Sequence, residues 1–340
     1  MVARLDLVPH PARGTRFLFE WFEVFYNRQR TRQSIMVHMI GDSLRPFAHR
    51  LRFRPSLTAE AVTMARALEQ LKPPAERVID DPWAHLFLSM PARRTLAAWS
   101  GSVTGRVLRR LGPTATTYVP LRHRFIDEHL ATALDAGAVQ VVLLGAGYDT
   151  RAYRFADQLD GRPVFEVDLV PISRAKAATI ARHQEQFPEA NVVRVELDFE
   201  SQALTDVLAD DTGFAVGAPT FFTWEGVAMY LTRAAVNATL DAVHELSADG
   251  SQIAHDMWYL VDDPGPMGTA RRTAPGALSL IGEPVTFGVH PEDYRDFLGR
   301  HGFRIVDLAL ASELQSRFAA HTRAVLDDSL YVLAAERIAS

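Results

Sequence analysis

Residues 139–151 read Val-Gln-Val-Val-Leu-Leu-Gly-Ala-Gly-Tyr-Asp-Thr-Arg, an aliphatic run that ends abruptly in a Gly-Ala-Gly turn. Such a run is typical of a buried parallel strand that delivers its C-terminal end to a nucleotide-like ligand. Because Gly145 and Gly147 lack a Cβ atom, the backbone can turn tightly and a ligand can approach it closely. Glycine pairs also occur in ordinary turns, so the interpretation depends on the sequence that follows.

An acidic residue ends the next predicted strand. Residues 164–168 read Val-Phe-Glu-Val-Asp, and Asp168 stands 21 residues after Gly147. In a doubly wound sheet this position holds the acid that binds both ribose hydroxyls of a nucleotide. The alternative is that Asp168 caps the helix predicted over residues 171–186, since aspartate is a good N-cap. The order of strand, glycines, strand and acid favours the ribose role.

Two further strands end in acids. Asp198, followed by Phe199, closes a strand over residues 192–198, and Glu225 closes one over residues 220–226. A site for NAD needs one acid after its glycines, whereas a site for the cation S-adenosylmethionine (SAM) uses acids at several strand ends. Thr150 also replaces the third glycine that a pyrophosphate favours. The pattern therefore favours SAM, and an NAD(P)-dependent oxidoreductase is the alternative.

Six segments stand in order along the chain: residues 58–59 with 66–67, 81–84 (Asp-Pro-Trp-Ala), 122–127 (Arg-His-Arg-Phe-Ile-Asp), 143–154, 165–168 and 224–231. Taken together, they resemble the leucine carboxyl methyltransferase family, and more closely its bacterial branch of O-methyltransferases linked to polyketide and lipid metabolism. The resemblance extends from about residue 56 to the C-terminus. It implies an α/β fold, a doubly wound seven-stranded SAM-methyltransferase (Rossmann-like) sheet with an N-terminal helical cap.

The resemblance also implies roles for individual residues. Arg122 would pair with the methionyl carboxylate of SAM, as a bidentate guanidinium can. Asp168 would hold the ribose, and Glu225 would face the amino group or the sulfonium. Better-studied family members carry a lysine in the first helix where Thr58 stands here, so Arg122 would carry most of the carboxylate recognition. The remaining expected cofactor contacts are Gly145, Ala146, Gly147, Asp149 and Thr150 of the glycine loop, and Asp198 and Phe199 at the adenine.

The acceptor chemistry is left with two alternatives. A carboxylate acceptor is already ionised and needs only alignment with the methyl group and a polar clamp. Tyr230 and Arg151 are our candidate catalytic residues for that clamp, and Tyr148, Tyr153 and Arg154 lie in or near the same loops. A phenol acceptor has a pKa near 10 and would benefit from a general base. His255, at the end of the fifth predicted strand, is the candidate for that role, and no metal is expected.

The chain divides into three predicted parts. Residues 1–55 hold ten arginines against four acids, with an aromatic stretch at 17–26. This arm fits an interfacial or partner-binding helix, or a helical arm that packs on its own domain or across a homodimer. Residues 56–135 read as a helical cap, and 136–340 as the SAM-binding domain. An insertion near 258–288 either shapes the acceptor pocket, with Met257, Trp258 and Tyr259 as apolar walls, or merely covers a helix.

Composition is that of a single enzyme-sized chain. The 340 residues carry a net charge of −5, which disfavours nucleic-acid binding, and contain no cysteine. No apolar run reaches the roughly 20 residues that span a bilayer, and the N-terminus lacks a signal-peptide core. We therefore expect a cytoplasmic protein that acts on a small-molecule acceptor. A non-enzymatic SAM-binding scaffold that recruits partners through its arm is a further alternative.

Overall fold

The computed structural model describes residues 57–100, 114–209, 212–259, 285–322, 326 and 328–339. The arm predicted over residues 1–55 and most of the insertion predicted near 258–288 lie outside these ranges. In the described part of the chain, no helix combines the length and the apolar character that crossing a membrane requires.

Helices and strands alternate after an all-helical N-terminal part. The α-helices are α1 (Leu57–Glu69), α2 (Met90–Ser100), α3 (Thr114–Asp135), α4 (Arg151–Arg154), α5 (Ala156–Leu159), α6 (Val170–Arg182), α7 (Leu204–Ala209), α8 (Arg233–Leu246), α9 (Pro291–Gly299) and α10 (Ala311–Phe318). The strands are β1 (Gln140–Leu144), β2 (Val164–Asp168), β3 (Val192–Glu196), β4 (Thr220–Trp224), β5 (Gln252–Trp258), β6 (Phe303–Leu310) and β7 (Leu330–Arg337). Short 3-10 helices cover Pro74–Glu76, Ala84–Phe87, Gln184–Gln186 and Ala228–Tyr230.

The seven strands form one sheet in the order β3-β2-β1-β4-β5-β7-β6. Strands β1 to β5 pair in parallel, and β7 runs antiparallel to both of its neighbours. The strand order reverses between β1 and β4, which is where open α/β sheets bind their ligands. The predicted doubly wound seven-stranded sheet is confirmed.

Both faces of the sheet are buried, which explains the continuous apolar runs of β1 and β4. Val142 and Leu144 face one core, closed by helices such as α8 and α9. Val141 and Leu143 face the other, closed chiefly by α3. Because strand neighbours point to opposite faces, adjacent residues at a strand end enter different surroundings.

The helices α1 and α2 and the 3-10 turn at Ala84–Phe87 share a small apolar core of their own. Helix α1 also packs on α3, next to the carboxyl ends of β1 and β4. We refer to residues 57–100 as the cap, a shorter range than the predicted 56–135, because α3 packs on the sheet. Its position brings cap side chains to the loop that follows β1.

Candidate functional site

The loop after β1 adopts backbone angles that favour glycine. Gly145 and Gly147 have φ values of +68° and +45°, in the left-handed region. A Cβ atom on Gly145 would overlap the Val227 side chain, whereas one on Gly147 would meet only the Gly145 carbonyl oxygen, at 3.8 Å. Ala146 donates its N–H to the Val167 oxygen at 3.0 Å. The loop is thus packed beneath Gly145 and has space at Gly147.

Asp168 binds this loop directly. One carboxylate oxygen accepts the Gly147 N–H at 2.5 Å, and the other accepts the Leu169 N–H at 2.6 Å. Burial raises the pKa of Asp168, although these two backbone N–H groups act in the opposite direction. A carboxylate offers about four lone-pair sites, so two remain for hydroxyl donors. Helix α6 begins at Val170 with Leu169 at its N-cap, so Asp168 is not the cap residue.

Asp198 and Phe199 follow β3, next to Asp168. Asp198 is half-buried and accepts the Glu200 N–H at 3.0 Å. The half-buried Phe199 ring packs against the core. The structure therefore places an acid and an aromatic ring beside the strand that carries Asp168.

A buried network of charges lies at the ends of β4 and β5. We call it the ion cluster; its members are Arg122, His123, Asp127, Asp149, Arg151, Arg154, Glu225 and Asp256. At its centre, Glu225 Oε1 contacts Arg122 Nε and His123 Nδ1, each at 2.8 Å, and Oε2 contacts Arg151 Nη1 at 2.8 Å. Burial alone would raise the pKa of Glu225, but these three partners hold it well below its usual range. Glu225 is therefore an anion.

Asp256 is a member of the cluster that the sequence analysis did not single out. Its carboxylate is fully buried, and it accepts Arg122 Nη1 at 2.5 Å and the Gly226 N–H at 2.5 Å. Burial raises the pKa of Asp256, while the Arg122 guanidinium opposes that shift. Two of the three nitrogens of Arg122 are thus committed to Glu225 and Asp256. Among the described residues, Nη2 takes no hydrogen-bond partner and lies 3.4 Å from the Cβ position of Gly226.

The cluster carries an excess of negative charge. Three guanidinium groups face four carboxylates, and burial together with Arg151 lowers the pKa of His123, which favours the neutral imidazole. The Nε2 atom of His123 is buried without a hydrogen-bond partner in the described part of the chain. Because opposite charges attract strongly in a poorly solvated site, this end of the sheet favours a cationic ligand.

Arg151 lies at the bottom of the cluster and is almost fully buried. Its guanidinium binds Asp127 at 2.7 Å, Glu225, Asp149 and the His123 carbonyl oxygen at 3.2 Å. Asp149 also accepts the Arg151 N–H at 2.7 Å. With every nitrogen engaged, Arg151 is placed to hold the cluster together, and this position does not favour the acceptor clamp that the sequence suggested.

Asp149 and Thr150, which precede Arg151 in the loop after β1, also bind arginines of the ion cluster. Burial would raise the pKa of Asp149, but Arg151 lowers it below its usual range. Thr150 is fully buried, and its hydroxyl accepts Arg154 Nε at 3.2 Å. Arg154 in turn forms a two-pronged pair with Asp127. These contacts hold the residues that directly follow the glycine loop.

His255 points away from the cluster. It is fully buried on the other face of the sheet, where Nε2 lies 3.4 Å from the Tyr294 hydroxyl and the ring packs near Trp224. Burial lowers the pKa of His255 to about 4. The general-base role suggested by the sequence is therefore not favoured, because β5 presents Asp256, and not His255, to the cluster.

The third candidate catalytic residue, Tyr230, ends the 3-10 helix at Ala228–Tyr230 and is half-buried. The chain returns to this helix after the insertion: Thr286 and Phe287 donate their N–H groups to the Met229 oxygen at 2.9 and 3.2 Å.

Met257 is buried in the core, whereas Trp258 is half-buried and donates its indole N–H to Ser329 at 3.1 Å. Thr58 lies in the first turn of α1 with a buried hydroxyl oxygen.

Atoms of His123, Asp149 and Glu225 also lie within 4.8 Å of one another, a grouping that could hold a metal ion. Both carboxylates already bind the same nitrogen of Arg151. A metal ion would have to displace that guanidinium, so we assign no metal to the cluster.

Comparisons with known proteins agree with this geometry. A family model described as "Leucine carboxyl methyltransferase" matches residues 59–244. A candidate SAM-dependent methyltransferase of Saccharopolyspora erythraea is 36% identical over 200 residues, which cover 58% of this chain and 66% of the relative. Another, of Mycobacterium ulcerans, is 30% identical over 291 residues, which cover 80% and 89%.

Among solved structures, a DUF574 family protein from Streptomyces avermitilis aligns with a TM-score of 0.52 at 15% identity. The alignment covers 80% of this chain and 96% of that protein. At this level of identity the likeness bears on the fold alone.

Proposed function

We propose that this chain, which belongs to the leucine carboxyl methyltransferase family, methylates a carboxylate oxygen of a small natural-product or lipid-like acceptor. The chain is a SAM-dependent methyltransferase, and the proposal concerns its acceptor and the residues that serve it. The proposal rests on one observation: Asp168 binds the glycine loop beside an anionic cluster in which one nitrogen of Arg122 has no hydrogen-bond partner among the described residues.

The residues at this end of the sheet fit SAM by their chemistry. The Arg122 Nη2 group suits the methionyl carboxylate, since guanidinium–carboxylate hydrogen bonds are among the strongest in proteins. The spare acceptor sites of Asp168 suit two ribose hydroxyls. The excess negative charge around Glu225 and Asp256 suits a ligand whose amino and sulfonium groups are both positive.

SAM, when bound, supplies a methyl group on a positively charged sulfur. The chain's own part is to bind, align and exclude water, because methyl transfer to an ionised oxygen requires no proton to be removed. Asp168 and Arg122 would hold the two ends of the cofactor. The half-buried Phe199 would contribute an apolar surface for the adenine.

A carboxylate acceptor agrees with the position of His255. A phenol or alcohol would gain from a base near the cluster, whereas a carboxylic acid is ionised at neutral pH. His255 is buried on the opposite face of the sheet with a pKa of about 4. An acceptor that arrives already ionised needs no base from His255, nor from His123, the neutral imidazole of the ion cluster whose Nδ1 is held by Glu225.

The acceptor class is tested with methyl-labelled SAM and a panel of matched acceptors. Each fatty or aromatic carboxylic acid is paired with the alcohol or phenol of the same carbon skeleton. We expect label in products of the acids, released as methanol by mild alkali because methyl esters hydrolyse and methyl ethers do not. Label found only in alkali-stable products would overturn the carboxylate assignment while leaving the methyltransferase activity intact.

A further inference from the structure

A buried arginine of the cap reaches into the cofactor loop. Arg66, in α1, donates from Nη2 to the Tyr148 carbonyl oxygen at 2.7 Å, across 82 residues of sequence. Its Nη1 binds Asp81 at 2.7 Å, and the two side chains are 2% and 0% exposed. A buried arginine is costly unless its charge is paired and its donors are used. Here Nη1 is paired with a cap carboxylate and Nη2 is shared between the loop and the Thr63 hydroxyl at 3.3 Å, while Nε is buried without a hydrogen-bond partner among the described residues.

Asp81 fixes the cap's own turn at the same time. While Oδ2 receives Arg66, Oδ1 accepts the Trp83 N–H at 3.3 Å, which orders the Asp-Pro turn before the 3-10 helix at Ala84–Phe87. That helix stacks the Phe87 ring on the Tyr148 ring, with centroids 5.3 Å apart and planes inclined by 23°. Two cap elements therefore converge on one loop residue, through its carbonyl oxygen and through its ring.

Tyr148 lies between two residues that the sheet domain already holds. The Gly147 N–H binds Asp168, and Asp149 binds Arg151. Tyr148 is the residue of this stretch that the cap contacts, through its carbonyl oxygen and its ring. Burial raises the pKa of the Tyr148 phenol, and the carboxylates of Glu60 and Asp168 add to the shift, so the side chain is neutral.

We propose that Arg66 and Asp81 are positioning residues that transmit the order of the cap to the cofactor loop, so that SAM binding and cap order are coupled. The proposal rests on the loop after β1 being the SAM-binding loop. Coupling of this kind is reciprocal: a cap that stabilises the binding-competent loop is itself stabilised by the ligand. The cap thereby gains a role in cofactor binding.

Arg66→Lys separates the loop contact from the ion pair. A lysine keeps the charge beside Asp81, but its single ammonium group lacks the planar fork that spans two acceptors. The matched control is Arg162→Lys, because Arg162 also donates to a distant backbone carbonyl, that of Leu134 at 3.1 Å, but lies outside the cap and the cofactor loop. We expect Arg66→Lys to raise the Kd for SAM at least tenfold in calorimetry, with a cooperative thermal transition retained, and Arg162→Lys to change it less than twofold.

Equal SAM affinity of Arg66→Lys and the unmodified protein would overturn the coupling, as would an equal loss in both variants. Absence of SAM binding by the unmodified protein would instead overturn the assignment of the cofactor loop. Should Arg66→Lys not fold, hydrogen exchange on the unmodified protein decides the matter. Saturating SAM is expected to slow amide exchange in α1 and in residues 81–88; unchanged exchange there, with the glycine loop protected, would contradict the proposal.

Discussion

Replacing Asp256 by asparagine tests whether the orientation of Arg122 determines SAM affinity. The carboxylate accepts Arg122 Nη1 and the Gly226 N–H, both at 2.5 Å, in a fully buried position. The asparagine oxygen can keep the backbone N–H, but its NH2 group cannot accept from a guanidinium. The substitution therefore removes one charge-assisted hydrogen bond and one negative charge from the cluster.

The expected loss is that of the contact that a misoriented Arg122 would no longer make with the methionyl carboxylate of SAM. A hydrogen bond between charged groups contributes about 1.5–3 kcal/mol, so its complete loss corresponds to a rise in Kd of about 10- to 150-fold. SAM carries a net positive charge, and its demethylated product, S-adenosylhomocysteine, does not. Because the substitution lowers the excess negative charge of the cluster, SAM affinity is expected to fall more than product affinity.

Calorimetric titration of both ligands into Asp256→Asn measures these values, below the melting temperature of the variant. The control is His255→Gln, a change at the adjacent fully buried residue of the same strand, on the opposite face. We expect the control to leave SAM affinity within about threefold of the unmodified protein, a difference of about 0.6 kcal/mol, because His255 does not contact the ion cluster. Unchanged SAM affinity of folded Asp256→Asn, or an equal loss in the control, would refute the reasoning.

Three further substitutions give distinct readouts. Asp168→Ala removes the acceptor of two backbone N–H groups and the expected ribose contact; we predict a SAM Kd at least about 10-fold higher by calorimetry, and wild-type affinity would contradict the ribose role. In Gly145→Ala the new Cβ atom would overlap the Val227 side chain on a backbone with a φ of +68°, whereas in Gly137→Ala, at φ +101°, the Cβ atom has no neighbour. Only Gly145→Ala is expected to abolish SAM binding, and equal binding by both variants would count against the loop's role. The pKa of His255, about 4, lies below that of the unfolded chain, so the unfolded state takes up the proton first and stability falls as pH drops from about 6.5 towards 4. In urea titrations, His255→Asn should lose about 2 kcal/mol less than the unmodified protein between about pH 7 and pH 5; identical losses would exclude a buried neutral histidine.

The sequence located the sheet because local patterns determine strands. The aliphatic run before Gly145 and the acids at the ends of β2 and β4 are short-range signals, and the structure places these strands side by side in the central part of the sheet. The family motifs added the seven-strand architecture. These features depend on residues that are close in sequence, and they can therefore be recognised from the sequence alone.

The side chains around the ion cluster could not be predicted in the same way. Asp256 follows His255, and one residue of strand register decides which of the two faces Arg122. A strand buried on both faces shows no alternation of polar and apolar residues, so its sequence does not reveal that choice. The signal that could have found Asp256 is its position: it is an acid near the end of a strand, as Asp168 is.

Arg151 illustrates a second limit. In the sequence it follows the glycine loop and looks available to a substrate. In the structure its partners Asp127 and Glu225 come from 24 and 74 residues away and, together with Asp149 and the His123 carbonyl oxygen, engage every nitrogen of the guanidinium. His123 and Arg66 are further examples, since each acquires its importance only through contacts with residues distant in sequence.

The most direct test of the account is calorimetric titration of the purified, folded chain with SAM and S-adenosylhomocysteine, using NAD(H) as the control ligand. The account predicts one SAM site per chain, with a micromolar or lower Kd and no heat from NAD(H). A folded protein that gives no binding heat with SAM, or that binds NAD(H) in its place, would contradict the central claim that the glycine loop, Asp168 and the ion cluster form a SAM site.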